Sequence, residues 1–197
     1  MLRTTLIRLK NRLFKQEPRN FLLKLMPQHT VGAEIGVWRG NFSHHLLRVV
    51  QPKHLHLIDP YSYRSEGNYQ RALYGGKSGS QISLDDIYNS VKRRFKTEID
   101  SGQVVLHRQT SETAVHKFPD HYFDWVYIDG DHQYEFVKKD LELFSKKVKT
   151  GGLIAGDDYE DRGWWQGGVK KAVDEFVTNG AAKIILIKKN QFVLRKR

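Results

Sequence analysis

Short apolar runs punctuate the chain at Val31–Ile35 and at residues 55–58, 104–106, 125–128 and 153–155, with amphipathic stretches between them. Apolar runs alternating with helical patterns argue for a largely parallel sheet covered by helices on both faces. Tyr134, Val137, Leu141, Phe144 and Val148 recur at spacings of three and four, which is one buried stripe of a helix. Val169, Ala172, Val173 and Phe176 make a second stripe of the same kind. The end of the chain differs. Runs at 184–187 and 192–194 close around Asn190-Gln191, and two strands this near each other form a hairpin. The expected fold is therefore α/β: a Rossmann-like, doubly wound, mostly parallel sheet with an antiparallel C-terminal strand.

Two segments fall outside this repeat. Residues 1–26 place Leu2, Leu6, Leu9 and Leu13 on one helical face, with arginines and lysines elsewhere. This basic amphipathic segment is expected to stand apart from a main domain at residues 27–197. It would dock on that domain or on a second copy, with an anionic membrane surface as the alternative. Residues 60–83 carry four tyrosines and the Gly75-Gly76 pair, with little periodicity. A loop this long in a compact domain reads as a lid or binding loop.

Composition removes some chemistries. Zero cysteines exclude thiol catalysis, disulfides and cysteine-based zinc sites. No apolar run is long enough to span a bilayer, and the charge-threaded start lacks a signal-peptide pattern, so a cytoplasmic address is expected. A formal net charge of +11 raises the question of a nucleic-acid partner. The basic residues gather in the N-terminal segment to Lys24 and at 92–96, 138–149 and 188–197. The third group alternates with apolar residues as a solvated helix face does. The tail group is expected on a sheet edge, where lysine discourages strand-to-strand association. Nucleic acid is thus the disfavoured partner.

Candidate chemistry begins after the first strand. Glu34, Gly36 and Gly40 lie at a strand-to-helix junction, where glycines let the backbone turn tightly and approach a ligand beside a helix N-terminus. The spacing Gly-x-x-x-Gly departs from the dinucleotide fingerprint. Asp59 ends the second strand nineteen residues past Gly40, where a carboxylate accepts hydrogen bonds from both hydroxyls of a ribose. Together these favour an adenosine cofactor. The segment from Ala33 to Ser43, AEIGVWRGNFS, resembles motif I of class I S-adenosylmethionine-dependent methyltransferases. More narrowly it is similar to small-molecule O-methyltransferases of the macrocin type. The resemblance implies that Glu34, Gly36, Gly40 and Ser43 surround the methionine half of S-adenosylmethionine, that Asp59 holds its ribose, and that Ser111 falls at an adenine contact.

Two matched segments, DWVYIDGDH ending at His132 and GGLIAGDDY ending at Tyr159, are each a buried strand closed by carboxylates. Parallel strands bring their carboxyl ends to one sheet edge, so Asp129, Asp131, Asp157 and Asp158 should converge beside Glu34 and Asp59. Such crowding is unfavourable without protons or a cation, and an all-oxygen set suits Mg²⁺, Mn²⁺ or Ca²⁺, with Mg²⁺ or Mn²⁺ the expected cofactor. The same segments resemble the metal-dependent members of the family, which implies Asp129, Asp157 and Asp158 as metal ligands, with Asp129 also bordering the cofactor. The resemblance covers about residues 30–177. His132 is the candidate general base, by intrinsic pKa and position, and Asp131 is its competitor. Tyr159, Trp164 and Trp165, with Tyr61 and Tyr63, are expected to wall an acceptor site. The acceptor expected from the resemblance is a small-molecule or sugar hydroxyl. An RNA methyltransferase, or a non-catalytic cofactor-binding subunit of a membrane or protein complex, are the alternatives.

Overall fold

The computed structural model describes residues 19–77 and 79–197. The leucine stripe of residues 2–13 lies outside the described residues. A short helix, α1 (Asn20–Leu23), is followed by β1 (Val31–Ile35), α2 (Asn41–Val49), β2 (His54–Ile58), α3 (Gln81–Arg94), α4 (Lys96–Asp100) and β3 (Val104–His107). Then come α5 (Ser111–Ala114), β4 (Phe123–Ile128), α6 (Tyr134–Lys147), β5 (Val148–Gly156), α7 (Gly168–Thr178), β6 (Ala182–Lys188) and β7 (Gln191–Lys196). The seven strands form one sheet in the order β3-β2-β1-β4-β5-β7-β6. β1 to β5 are parallel, and β7 runs antiparallel to both β5 and β6.

Side chains alternate across each strand, so the two faces carry separate cores. Ala33, Val126, Ile128 and Ile154 pack with Val137, Leu141 and Phe144 of α6 and with Val169 and Val173 of α7. Leu55, Leu57, Trp125, Tyr127 and Ala155 face the other way, toward Phe42 and Leu46 of α2 and Leu84 and Val91 of α3. Leu22, Leu23 and Met26, from the end of the basic segment, are buried in this second core. Gly32 makes room for it: a Cβ there would stand 2.2 Å from the Trp125 ring.

Three details differ from the sequence reading. The 60–83 stretch is not loop throughout, because Gly67–Arg71 is a turn of 3-10 helix and α3 starts at Gln81 behind a Ser80 cap. β5 begins five residues earlier than the apolar run at 153, since Val148 leads the strand instead of closing the helix. The basic tail is interior: β7 sits between β5 and β6, and the exposed edge belongs to β6, whose Ile184, Ile185 and Ile187 are partly open to solvent. Among the described residues no helix is long and apolar enough to cross a membrane.

Register positions the site. Ile35 is level with both Ile58 and Ile128, and Ile128 is level with Gly156. The next residues along, Gly36, Asp59, Asp129 and Asp157, therefore form one row at the carboxyl edge of the sheet.

Candidate active site

The row divides into two halves. In the first, Gly36 has φ +87, and a Cβ there would lie 2.0 Å from the Asp129 carbonyl oxygen. Both its conformation and the neighbouring strand exclude any other residue. Glu34, 1% exposed, accepts from the Ser43 hydroxyl at 2.5 Å. Burial pushes the Glu34 carboxyl up to about 8, against the pull of that hydrogen bond. Asp59 is equally buried. Its Oδ2 accepts from the backbone N–H groups of Val37 (2.8 Å) and Trp38 (3.0 Å) and from the Tyr74 hydroxyl, and its Oδ1 accepts from Tyr61 N–H at 2.8 Å. Desolvation raises the Asp59 carboxyl, and these donors lower it again. Ser111 opens α5 and donates to Asp140, a buried acid of α6 pushed up to about 7 chiefly by burial.

The second half holds the remaining acids. His132 lies between two of them, with Nδ1 3.0 Å from Asp158 Oδ2 and Nε2 3.3 Å from Asp129 Oδ1. The candidate ligand atoms of Asp129, His132 and Asp158 all lie within 4.8 Å of one another. Burial opposes charge on His132, but the carboxylates, led by Asp129, outweigh it and raise its pKa. Trp165 stands edge-on to the imidazole at 5.0 Å. Asp158 adopts φ +59, a strained value for a non-glycine residue and one that functional sites concentrate.

Arg19 enters this half from the start of the described chain. Its Nη1 reaches Tyr127 Oη at 3.1 Å, Asp129 Oδ2 at 3.1 Å and Asp157 Oδ2 at 3.4 Å, and its guanidinium lies 4.0 Å over the Phe42 ring. Asp157 Oδ1 accepts from Asp158 N–H at 2.8 Å and from the Gln191 side-chain amide. Burial and then the Asp129 charge push the Asp157 carboxyl up to about 6.

The expected convergence of four acids therefore holds for three. Asp131 turns away: its Oδ2 accepts from Tyr69 Oη (2.5 Å) and Arg64 Nη1 (3.2 Å), while its Oδ1 accepts from Gln133 N–H (3.1 Å) at the entry to α6. The aromatic wall is also different. Tyr61 is 1% exposed and donates to the Trp38 carbonyl at 3.1 Å, so it belongs to the core. Tyr159 donates to Asp174 at 2.6 Å. Trp164 has Tyr69 at 6.0 Å and Trp165 at 5.9 Å between ring centroids. Arg19, Tyr69, Tyr74 and Gln191 are site residues that the sequence reading misses. Only the tyrosine-rich loop carried a signal for any of them.

The donor chemistry fits a hard divalent cation. Asp129 and Asp158 offer carboxylate oxygens at one spot with His132 beside them, and Asp157 is adjacent but engaged by Arg19 and Gln191. The first half fits an adenosine cofactor with a cationic methionine end: a cramped glycine turn, a ribose-type acid at the second strand end and a buried Glu34.

The family described as "Methyltransferase domain" matches residues 33–159. Among solved structures, cofactor-bound Rv0187 from MTB is 14% identical, with a TM-score of 0.65 over 93% of this chain and 81% of that one. The O-methyltransferase NovP is 22% identical, with a TM-score of 0.59 over 87% of this chain and 72% of its own. Protein SMU.1697c of Streptococcus mutans, solved in complex with SAH, is 14% identical, with a TM-score of 0.58 over 91% and 95% of the two chains. These likenesses speak for the fold. An uncharacterized protein of Acanthamoeba polyphaga mimivirus is 51% identical over 41 residues, which is 21% of this chain and only 19% of the viral protein. The family match spans both strand-end clusters, from the Glu34 turn to the Asp157-Asp158 pair, and the chain belongs to the methyltransferase domain family.

Proposed function

We propose that this chain transfers a methyl group from S-adenosylmethionine to a hydroxyl oxygen of a small-molecule or sugar acceptor, as macrocin-type enzymes do, with a divalent cation at the acidic cluster. The observation that carries the reading is the level row Gly36, Asp59, Asp129, Asp157, which sets a cofactor half and an acid half side by side on one sheet edge. NovP, an O-methyltransferase by name, shares this fold. Glu34 faces the methionine end, Asp59 holds the ribose, and Ser111 with Asp140 borders the adenine. Because a sulfonium methyl is already activated, the protein's task is to align the acceptor oxygen and remove its proton. His132 takes that proton, with Asp131 as the alternative. A cation held by Asp129, Asp157 and Asp158, Mg²⁺ or Mn²⁺, would supply fixed positive charge and acidify the hydroxyl.

A second reading follows from Arg19. Its guanidinium already stands between Asp129 and Asp157, so protein cations can balance the cluster without a metal. One experiment separates the two. Methyl transfer from labelled S-adenosylmethionine to a panel of sugar and phenolic hydroxyls is measured with and without EDTA, in the wild type and in Arg19→Ala. In the metal reading EDTA abolishes turnover, Mg²⁺ restores it, and Arg19→Ala remains active. In the Arg19 reading EDTA has no effect and Arg19→Ala is inactive. Absence of transfer to every hydroxyl offered, by protein that binds the cofactor, would count against the acceptor class.

A further inference from the structure

The loop that follows β2 touches both halves of the site, and it does so through side chains that neither half requires. Tyr74 donates its hydroxyl to Asp59 Oδ2 and accepts from Trp38 N–H at 3.2 Å. Its ring rests 5.2 Å from the Trp38 ring. Oδ2 then has three donors, Val37 N–H, Trp38 N–H and Tyr74 Oη, one more than its two lone-pair sites, and the Trp38 N–H is shared with Tyr74 Oη. Tyr74 is the one side-chain donor among them, so on Oδ2 its hydroxyl stands where a ribose hydroxyl would bind.

The remainder of the loop is packed together with Tyr74. Arg64 N–H donates to the Tyr74 carbonyl at 2.8 Å, and Gly76 N–H donates to the Tyr69 carbonyl at 3.2 Å. Gly75 lies against the Tyr69 and Arg64 carbonyls so closely that a Cβ would stand 1.9 Å and 2.7 Å from them. Arg64, Tyr69 and Tyr74 are thus three points on one packed unit, and the first two hold Asp131.

We infer that residues 61–77 form a strap in which Tyr74 occupies the ribose position on Asp59, so that the cofactor enters by displacing it. This rests on the proposed cofactor site. Because the same unit clasps Asp131, displacement at Asp59 also loosens the hold on Asp131.

The test is a calorimetric titration with S-adenosylhomocysteine, together with hydrogen exchange on the wild type. Tyr74→Phe removes the competing hydroxyl and keeps the ring, and it should bind S-adenosylhomocysteine about tenfold more tightly, in proportion to one charge-assisted hydrogen bond no longer broken. In the wild type, saturating S-adenosylhomocysteine should reduce amide protection across 61–77, a readout that does not depend on how the variant folds. Equal or weaker binding by Tyr74→Phe, or increased protection of 61–77, would overturn the strap and make Tyr74 part of the bound cofactor's site. Wild-type protein that does not bind S-adenosylhomocysteine at all would remove the cofactor site and the strap with it.

Discussion

Glu34 has a carboxyl raised to about 8 by burial, so near neutral pH the cofactor-free protein keeps it protonated. Its folded pKa lies above its unfolded one, so its contribution to stability is full below the unfolded value of 4.5 and is lost as pH rises through about 8. Glu34→Gln is a neutral isostere and should lose less melting temperature than the wild type between pH 5 and 8. Parallel melting curves would show that Glu34 titrates normally. Asp59 calls for a different substitution, because three backbone N–H groups depend on it as well as the proposed ribose contact. Asp59→Asn retains its size and should weaken S-adenosylhomocysteine binding by about 2–4 kcal/mol, since a charged acceptor becomes neutral. Unchanged affinity by calorimetry would take Asp59 out of the site. Both acids were readable as candidates from sequence because Asp59 closes one short apolar run and Glu34 interrupts another just before a glycine turn, and such junctions are local patterns. Arg19 was not, because it meets Asp129 and Asp157 across more than a hundred residues of chain. Tyr74 was counted among the loop tyrosines, but spacing does not reveal which acid a loop residue reaches.

At the scale of elements, β2 and β3 carry a paired histidine feature that the active site does not use. His56 Nδ1 lies 3.0 Å from His107 Nε2, and burial pushes both pKa values down to about 4. A histidine whose folded pKa is depressed is protonated first in the unfolded chain, so stability falls as pH drops from about 6.5 toward 4. Unfolding free energies from urea titrations at pH 7 and pH 4.5 should differ by on the order of 5 kcal/mol. Replacing His107 by Gln should roughly halve that difference. Gly32 is the element-scale test of packing: Gly32→Ala drives a Cβ into the Trp125 ring and should destabilise by roughly 1–3 kcal/mol in the same assay. Strands β1 to β4 were legible because apolar runs buried on both faces leave an unambiguous trace. Helix α3 was not recognised, although Leu84 and Val91 are buried on it, because its polar residues blur the stripe and a glycine-rich loop precedes it. The start of β5 was misread because Val148 continues the helical spacing of α6.

For the whole molecule, a chain of net charge +11 gathers Asp59, Asp129, Asp157 and Asp158 at one sheet edge, so the charge of the site is opposite in sign to that of the chain. Many lysines serve in pairs such as Lys138–Glu175 and Lys147–Asp120, which fits the reading of that charge as a solvated face. The fold class could be anticipated from the alternation of runs, but the place of the last strand could not, since a hairpin has the same pattern whichever arm is inside. That placement has a consequence for how the protein is made. β7 leaves the ribosome after both β5 and β6, yet it lies between them and brings Gln191 to Asp157 and Tyr127. Until residues 191–196 emerge, the β5 edge beside Leu153 and Ala155 has no neighbour, and the acidic cluster lacks one of its donors. The nascent chain therefore passes through a stage in which the Gly36 and Asp59 half of the row can be assembled while its acid half waits for β7.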